Sequence, residues 1–287
     1  MSWSRRNKRK RGKVNFFTGD PAVIHASGGR APNFVSTSMI SGDGGIPWLP
    51  TELGVKLLAW YDPSDDEHLT IDGGSGEVQQ LLDQSGGNND SILRFTGANT
   101  YLSKTTMGGQ QALLQNTTEA NAYMYLAPTS LSFGNGDIKD VFSVIETSDT
   151  TFIMGNGNSA TRFFGAAQDG STSSPTGLSG TPTYWGDGVS LGSTRDDLHT
   201  SWSQGKPVIA AATNLTLDTD WLNAFYLWWY SSGVFQLDGV YGDYIICGTL
   251  TADERQQLEG YLAHKYGVES NLPVNHPYRN SAPTVVE

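Results

Sequence analysis

Four acids crowd together at Asp62, Asp65, Asp66 and Glu67. Hard cations are held by several carboxylate and carbonyl oxygens, so Asp62, Asp65 and Asp66 are candidate ligands, and calcium is the one cofactor to consider. The competing reading is a solvated turn in which Asp62 accepts local backbone amides. A second polar segment, Asp83-Gln84-Ser85-Gly86, reads either as a loop locked by the Asp83 carboxylate or as a loop tip that meets a ligand. Glycoside hydrolysis needs two carboxyls about 5–10 Å apart across a cleft. Glu146, in an apolar strand, has no acid at positions 148 or 151. The histidines His25, His68, His199, His264 and His276 stand in no recognisable nucleophile motif, so no catalytic residue is assigned.

Aromatic side chains offer a different chemistry. Trp221, Phe225, Tyr226, Trp228, Trp229 and Tyr230 lie within ten residues. In a strand, Phe225, Leu227 and Trp229 share one face and Tyr226, Trp228 and Tyr230 the other. One set must be core. The other is either covered or an exposed row able to stack on sugar rings or on a protein partner. Tyr226, Trp228 and Tyr230 are therefore candidate ligand-binding residues, with Trp185 and Trp202 in a polar stretch as secondary candidates.

Charge is unevenly placed. Arg5, Arg6, Lys8, Arg9, Lys10, Arg11 and Lys13 are seven of the 18 Lys and Arg, and no acid lies among residues 1–13. The other 11 cations face all 29 Asp and Glu, a balance of −18 for the rest of the chain. Such asymmetry marks an interaction tail on an acidic body. The tail, with Phe16 and Phe17 following, is a candidate partner-binding arm that docks on an acidic protein surface. The alternatives are a solvated tail and a phosphate-binding one. The acidic body itself disfavours nucleic acid and anionic membranes.

These groups need a scaffold. The 34 glycines, the 11 % aromatics and only 16 % charged residues point to an all-β chain with many turns. Residues 1–47 carry no lasting helical or strand period and read as an extended arm. From about Trp48 onward, strand-like runs appear at 57–61, 140–147, 151–155, 161–167, 207–213, 224–230 and 240–247, separated by turn-forming clusters. Residues 76–83 read as a short strand or turn before a loop. Residues 168–206 read as long polar loops. One helix is expected over 252–266: Thr251 and Glu254 form a capping box, Leu258, Tyr261, Leu262 and Tyr266 recur at helical spacing, and Gly267 ends it. Cys247 is the sole cysteine, so no intrachain disulfide can form, and its apolar neighbours mark it as a core thiol. No apolar run reaches membrane-spanning length, and the apolar stretch of a signal peptide does not follow the basic N-terminus. Synthesis in the cytoplasm is expected.

Several segments together resemble the laminin-G-like, concanavalin A-like domains of bacteriophage structural proteins. Ile46-Pro47-Trp48-Leu49-Pro50 and then Leu58-Ala59-Trp60-Tyr61-Asp62-Pro63-Ser64-Asp65 are similar to the family's opening strand. Val78 to Asp83-Gln84-Ser85-Gly86-Gly87-Asn88-Asn89 is similar to its "W-x-D-x-S-G-N-G-N" loop, with Leu82 near the tryptophan position. Gly108-Gly109-Gln110-Gln111-Ala112-Leu113 resembles the "G-K-P-A-L" strand. Gly242-Asp243-Tyr244-Ile245-Ile246, Leu250 to Gly267, Leu272-Pro273 and His276-Pro277-Tyr278 match best. The resemblance covers residues 46–280 and leaves out the arm.

It implies a jelly-roll sandwich of two antiparallel sheets over residues 48–287, with one C-terminal helix and the extended arm 1–47. Some relatives bind calcium on the rim. Glycosidases of this fold share a Glu-x-Asp-x-x-Glu strand motif that this sequence lacks. The function expected is that of a non-enzymatic virion structural protein. It would be multi-copy on a phage surface, as head decoration or as part of a tail, collar or fibre, held to other virion proteins by the arm and adhesive toward host or environmental glycans. The alternatives are a free carbohydrate-binding module and a glycan-processing enzyme of the same fold.

Overall fold

Strand formation follows the apolar runs. A computed structural model describes residues 46–95, 100–117, 124–128, 131–148, 151–156, 163–166, 181–217, 225–227 and 239–285. In it fifteen strands run in order: β1 Leu57–Tyr61, β2 Leu69–Ile71, β3 Val78–Leu81, β4 Ser91–Phe95, β5 Thr100–Met107, β6 Gln110–Thr117, β7 Met124–Pro128, β8 Asp140–Glu146, β9 Thr151–Asn156, β10 Phe163–Ala166, β11 Thr183–Gly186, β12 Val189–Ser190, β13 Val208–Thr213, β14 Phe225–Leu227 and β15 Gly239–Cys247. Two α-helices join them, α1 Arg195–Trp202 and α2 Ala252–Lys265. The described chain is all-β in class, with antiparallel pairing throughout its ladders.

The strands make two sheets. One has eight strands in the order β12-β11-β13-β8-β15-β6-β5, with β1 also paired to β15; the other has seven in the order β10-β9-β14-β7-β4-β3-β2. Between them lies one core, in which Val141, Ile145, Tyr241, Tyr244 and Ile246 of the first sheet meet Val78, Leu81, Ile153 and Leu227 of the second. On the outer face of the eight-stranded sheet, Trp60, Phe142, Val144, Ile209 and Ile245 meet Leu258, Tyr261 and Leu262 of α2 and Tyr266 just after it. The central strands are thus covered on both faces. That is why β13 reads as a continuous apolar run, and why β8 and β15 are broken inside only at Ser143 and at Gly242-Asp243 rather than alternating.

One irregularity positions a functional group. The pairing of β15 with β8 slips between Tyr241↔Ile145 and Tyr244↔Ser143, so β15 holds one extra residue there. The bulge puts Tyr241 and Tyr244 on the same face, inside the inter-sheet core. Asp243 is left pointing at α2, where it bonds Lys265 and Tyr266. Gly242 admits the approach: a Cβ there would stand 2.5 Å from the Tyr266 ring.

The helix expected over 252–266 is α2. Its capping box is present in both directions, Leu258 and Leu262 are fully buried, and Gly267 takes φ +65°. The stretch 168–206 is less loop-like than expected. It contains the β11–β12 hairpin and α1, itself closed by a Thr194/Asp197 capping box. Residues 76–83 contain β3, and the first strand run is β1 as expected.

Candidate functional site

Asp83 organises the loop that follows β3. Its Oδ1 accepts the Trp60 and Ser85 amides at 3.0 and 2.8 Å. Its Oδ2 accepts Ser85 Oγ at 2.8 Å, the Asn89 amide at 2.9 Å and Asn89 Nδ2 at 3.1 Å. Asn89 is fully buried and carries the lock further: Nδ2 also donates to the Leu58 carbonyl, and Oδ1 accepts the Ser132 amide. The loop-locking reading of Asp83 is therefore the one the structure shows. Gly86 and Asn88, at φ +87° and +54°, make the reversal that brings the chain back to Asn89.

Beside this loop lies a cleft of about 510 Å³, lined by Thr51, His68, Gln84, Ser85, Asn88 and Asp90 among others. His68 is fixed in it, its Nδ1 2.7 Å from Asp65 Oδ2. The Gln84 amide nitrogen is buried and has no hydrogen-bond partner among the described residues. That nitrogen is closed to solvent and so is not presented to a ligand; the cleft's polar wall is made by Thr51, His68, Ser85, Asn88 and Asp90. Ser85 Oγ faces Asp83 Oδ2 and the Leu58 carbonyl, so its proton is engaged structurally.

The three acids read as candidate calcium ligands are turned to separate partners. Asp62 is 5 % exposed, with Oδ2 2.6 Å from Lys265 Nζ and Oδ1 accepting Ser64 N–H and Oγ–H. Burial opposes its charge, but Lys265 and Ser64 outweigh burial and hold the carboxyl below its ordinary range. Asp65 caps a short 3-10 turn through the Glu67 amide and holds His68. Asp66 bonds Lys104 and Gln111, and those bonds lower its pKa. Among the described residues, no group of three or more His, Cys, Asp or Glu is gathered to hold a metal ion. The turn reading of Asp62 holds for the Ser64 amide. Its ion pair with Lys265, 203 positions along by residue number, had no signal in local sequence.

The aromatic candidates divide. Trp202 is fully buried, with its indole N–H donating to the Trp185 carbonyl at 2.9 Å. It is core, not platform: with Leu198 it forms the apolar side of α1. Trp185 is half-buried, donates to Thr213 Oγ1 and carries the Arg255 guanidinium 3.7 Å above its ring, so that ring is already stacked on a cation of the same chain. Tyr226 lies on β14, next to Leu227, which is buried in the inter-sheet core. Trp228 and Tyr230 lie outside the described residues, as do Arg5, Arg6, Lys8, Arg9, Lys10, Arg11, Lys13, Phe16 and Phe17 of the arm. Cys247 is fully buried, and burial pushes its thiol well up, as expected of a core cysteine.

Among the described residues, no helix is long and apolar enough to cross a membrane. Comparison with protein-family models, with curated proteins and with solved structures finds no match for this chain.

Proposed function

We propose that the chain is a non-enzymatic structural protein displayed on a virus particle, most plainly a bacteriophage. In this reading its two-sheet body is a jelly-roll sandwich of the laminin-G and concanavalin A type, and residues 1–47 tether it to neighbouring virion proteins. The carrying observation is the separation of charge: seven cations and no acid within residues 1–13, against a balance of −18 in the rest. Opposite charge speeds and orients encounter with an acidic neighbour, and aromatic anchors such as Phe16 and Phe17 add the buried contacts that hold it. The body supports the reading by being largely self-contained. Its central sheet is covered on both faces, by the second sheet and by α2.

The cleft beside the 83–90 loop favours a second element of the same reading, adhesion to glycans. Its polar lining, with Thr51, His68, Asn88 and Asp90 among it, suits sugar hydroxyls. A free carbohydrate-binding module would use the same cleft without needing the arm.

The test is composition and accessibility. Particles purified from cells that make the chain should contain it at a fixed copy number by quantitative mass spectrometry, and brief protease treatment of intact particles should reach the body. Absence of the chain from particles that are otherwise complete would overturn the reading. Loss of glycan retention in Asn88→Gly, which keeps the left-handed φ of +54°, with particle incorporation unchanged, would separate adhesion from display.

A further inference from the structure

Lys265 is an amine shut away from water. Its side chain is 5 % exposed, with Nζ 2.6 Å from Asp62 Oδ2 and 2.7 Å from Asp243 Oδ1. Those two carboxylates are themselves 5 % and 0 % exposed. Three elements deliver the groups: Asp62 follows β1, Asp243 sits on the β15 bulge, and Lys265 closes α2. Each carboxylate is oriented by further donors. Asp243 accepts the Trp60 indole N–H at 2.9 Å and the Tyr266 hydroxyl at 2.6 Å. Asp62 Oδ1 accepts the Ser64 amide at 2.8 Å and the Ser64 hydroxyl at 2.6 Å. The Tyr261 and Tyr266 rings stand 5.7 and 5.6 Å from Nζ.

One cation and two anions in a dry site carry a heavy desolvation cost. Burial, and then Asp62, push the Asp243 carboxyl up to about 6. Condensation of the amine with a carboxyl removes one charge of each sign at once. The chain has one cysteine and so no intrachain disulfide with which to staple itself.

We propose that Lys265 and Asp62 become joined by an amide bond, a covalent clasp between α2 and the segment leaving β1. The inference stands on this buried cluster and does not depend on the functional reading above. A proton passes from the Lys265 ammonium to Asp62 Oδ2, leaving a free amine and a neutral carboxyl. Nζ attacks the Asp62 Cγ, and the negative charge gathers on Oδ1, where the two Ser64 donors already point. Asp243 takes a proton from the attacking nitrogen and passes it to the Oδ2 hydroxyl, which leaves as water. One C–N bond forms and one C–O bond breaks. Asp243 ends as it began, and no oxidant or reductant is consumed. Burial opposes the Lys265 charge, yet the two carboxylates outweigh it and raise the ammonium's pKa. The free amine is therefore scarce, and the bond forms slowly after folding.

The test is the mass of the full chain, purified, incubated at pH 6 and pH 8 and then denatured. The expected chain is lighter than its sequence mass by one water, about 18 Da, as an amine acylated by a carboxyl must be. Proteolysis should yield a branched peptide linking the segments that contain Asp62 and Lys265. Lys265→Arg keeps a cation and should show the full mass. Asp243→Asn should hold the full mass with a circular dichroism spectrum like the parent's. A parent chain at full sequence mass after prolonged incubation, with no branched peptide, overturns the proposal. So does a branch mapped to Asp243.

Discussion

Asp83 and Asp187 show two opposite ways of holding a half-buried carboxylate. Asp83 collects three backbone amides, one hydroxyl and one side-chain amide, so its removal leaves those donors unpaired. Asp83→Ala should cost about 2–4 kcal/mol, since stranded buried donors cost about 1–3 kcal/mol each and some will find water. Urea melts would register this, and a loss below about half a kcal/mol would show that the loop holds without its lock. Asp187 accepts the Ile209 amide, but burial dominates and pushes its carboxyl up to about 6. In the unfolded chain it titrates near its ordinary 3.8. Between those values the folded chain holds a proton that the unfolded chain lacks. The Asp187 contribution is therefore most favourable at low pH and falls as pH rises from about 4 to about 6, by about 1–3 kcal/mol. Asp187→Asn keeps an acceptor for Ile209. It also suits the left-handed φ of +49°, followed by Gly188 at +78°, in the β11–β12 turn. The variant should be more stable than the parent at pH 7 and nearly equal to it at pH 4, measured by paired denaturant melts. Equal stability at both would contradict the assignment.

At the scale of elements, α2 is the piece on which the outer core depends. Leu258, Tyr261, Leu262 and Lys265 make one stripe, and all four are buried. Leu262→Ala should cost about 2–5 kcal/mol, and Thr251→Ala, which removes the cap, about 0.5–2 kcal/mol. Thermal unfolding of both variants checks the order; a larger loss from the cap than from the core would mean that α2 does not close the sheet. This helix was legible because cap, stripe and terminal glycine agree between Thr251 and Gly267. Strands β1 and β13 were legible because burial on both faces leaves them nearly uninterrupted apolar runs, and β8 and β15 because theirs are broken inside only at Ser143 and at Gly242-Asp243. Helix α1 was not. It has eight residues and two buried anchors, Leu198 and Trp202, too few to show a period, although Thr194 and Asp197 have capping-box spacing. The same shortness led to Trp202 being read as a surface aromatic. The partners of the acidic cluster were hidden for another reason. Its composition is that of a cation site, but Lys265 and Lys104, which pair with Asp62 and Asp66, come from distant segments. The Asp62–Lys265–Asp243 cluster was equally hidden, because a fold must bring three remote positions together before it exists.

Over the whole molecule, the proposed display role assigns anchoring to the basic residues 1–13 and leaves the two-sheet body to fold by itself. The body builds its own interior, with Trp48 buried against α2's core and the Trp48 amide bonded to the Pro283 carbonyl, so the segment after the arm is tied to the C-terminal end. Removing what precedes that tie should leave folding intact. A chain lacking residues 2–45 should melt within a few degrees of the full chain, whereas a chain lacking residues 2–13 should assemble more weakly, the more so as salt screens the charges. The most direct test of the display reading compares the full chain with the chain lacking residues 2–45. Both would be supplied in cells making particles, and copies per purified particle counted by quantitative mass spectrometry. The account predicts that the shortened chain folds normally and is missing from particles. Full occupancy by the shortened chain would place the anchor on the two-sheet body and contradict the account.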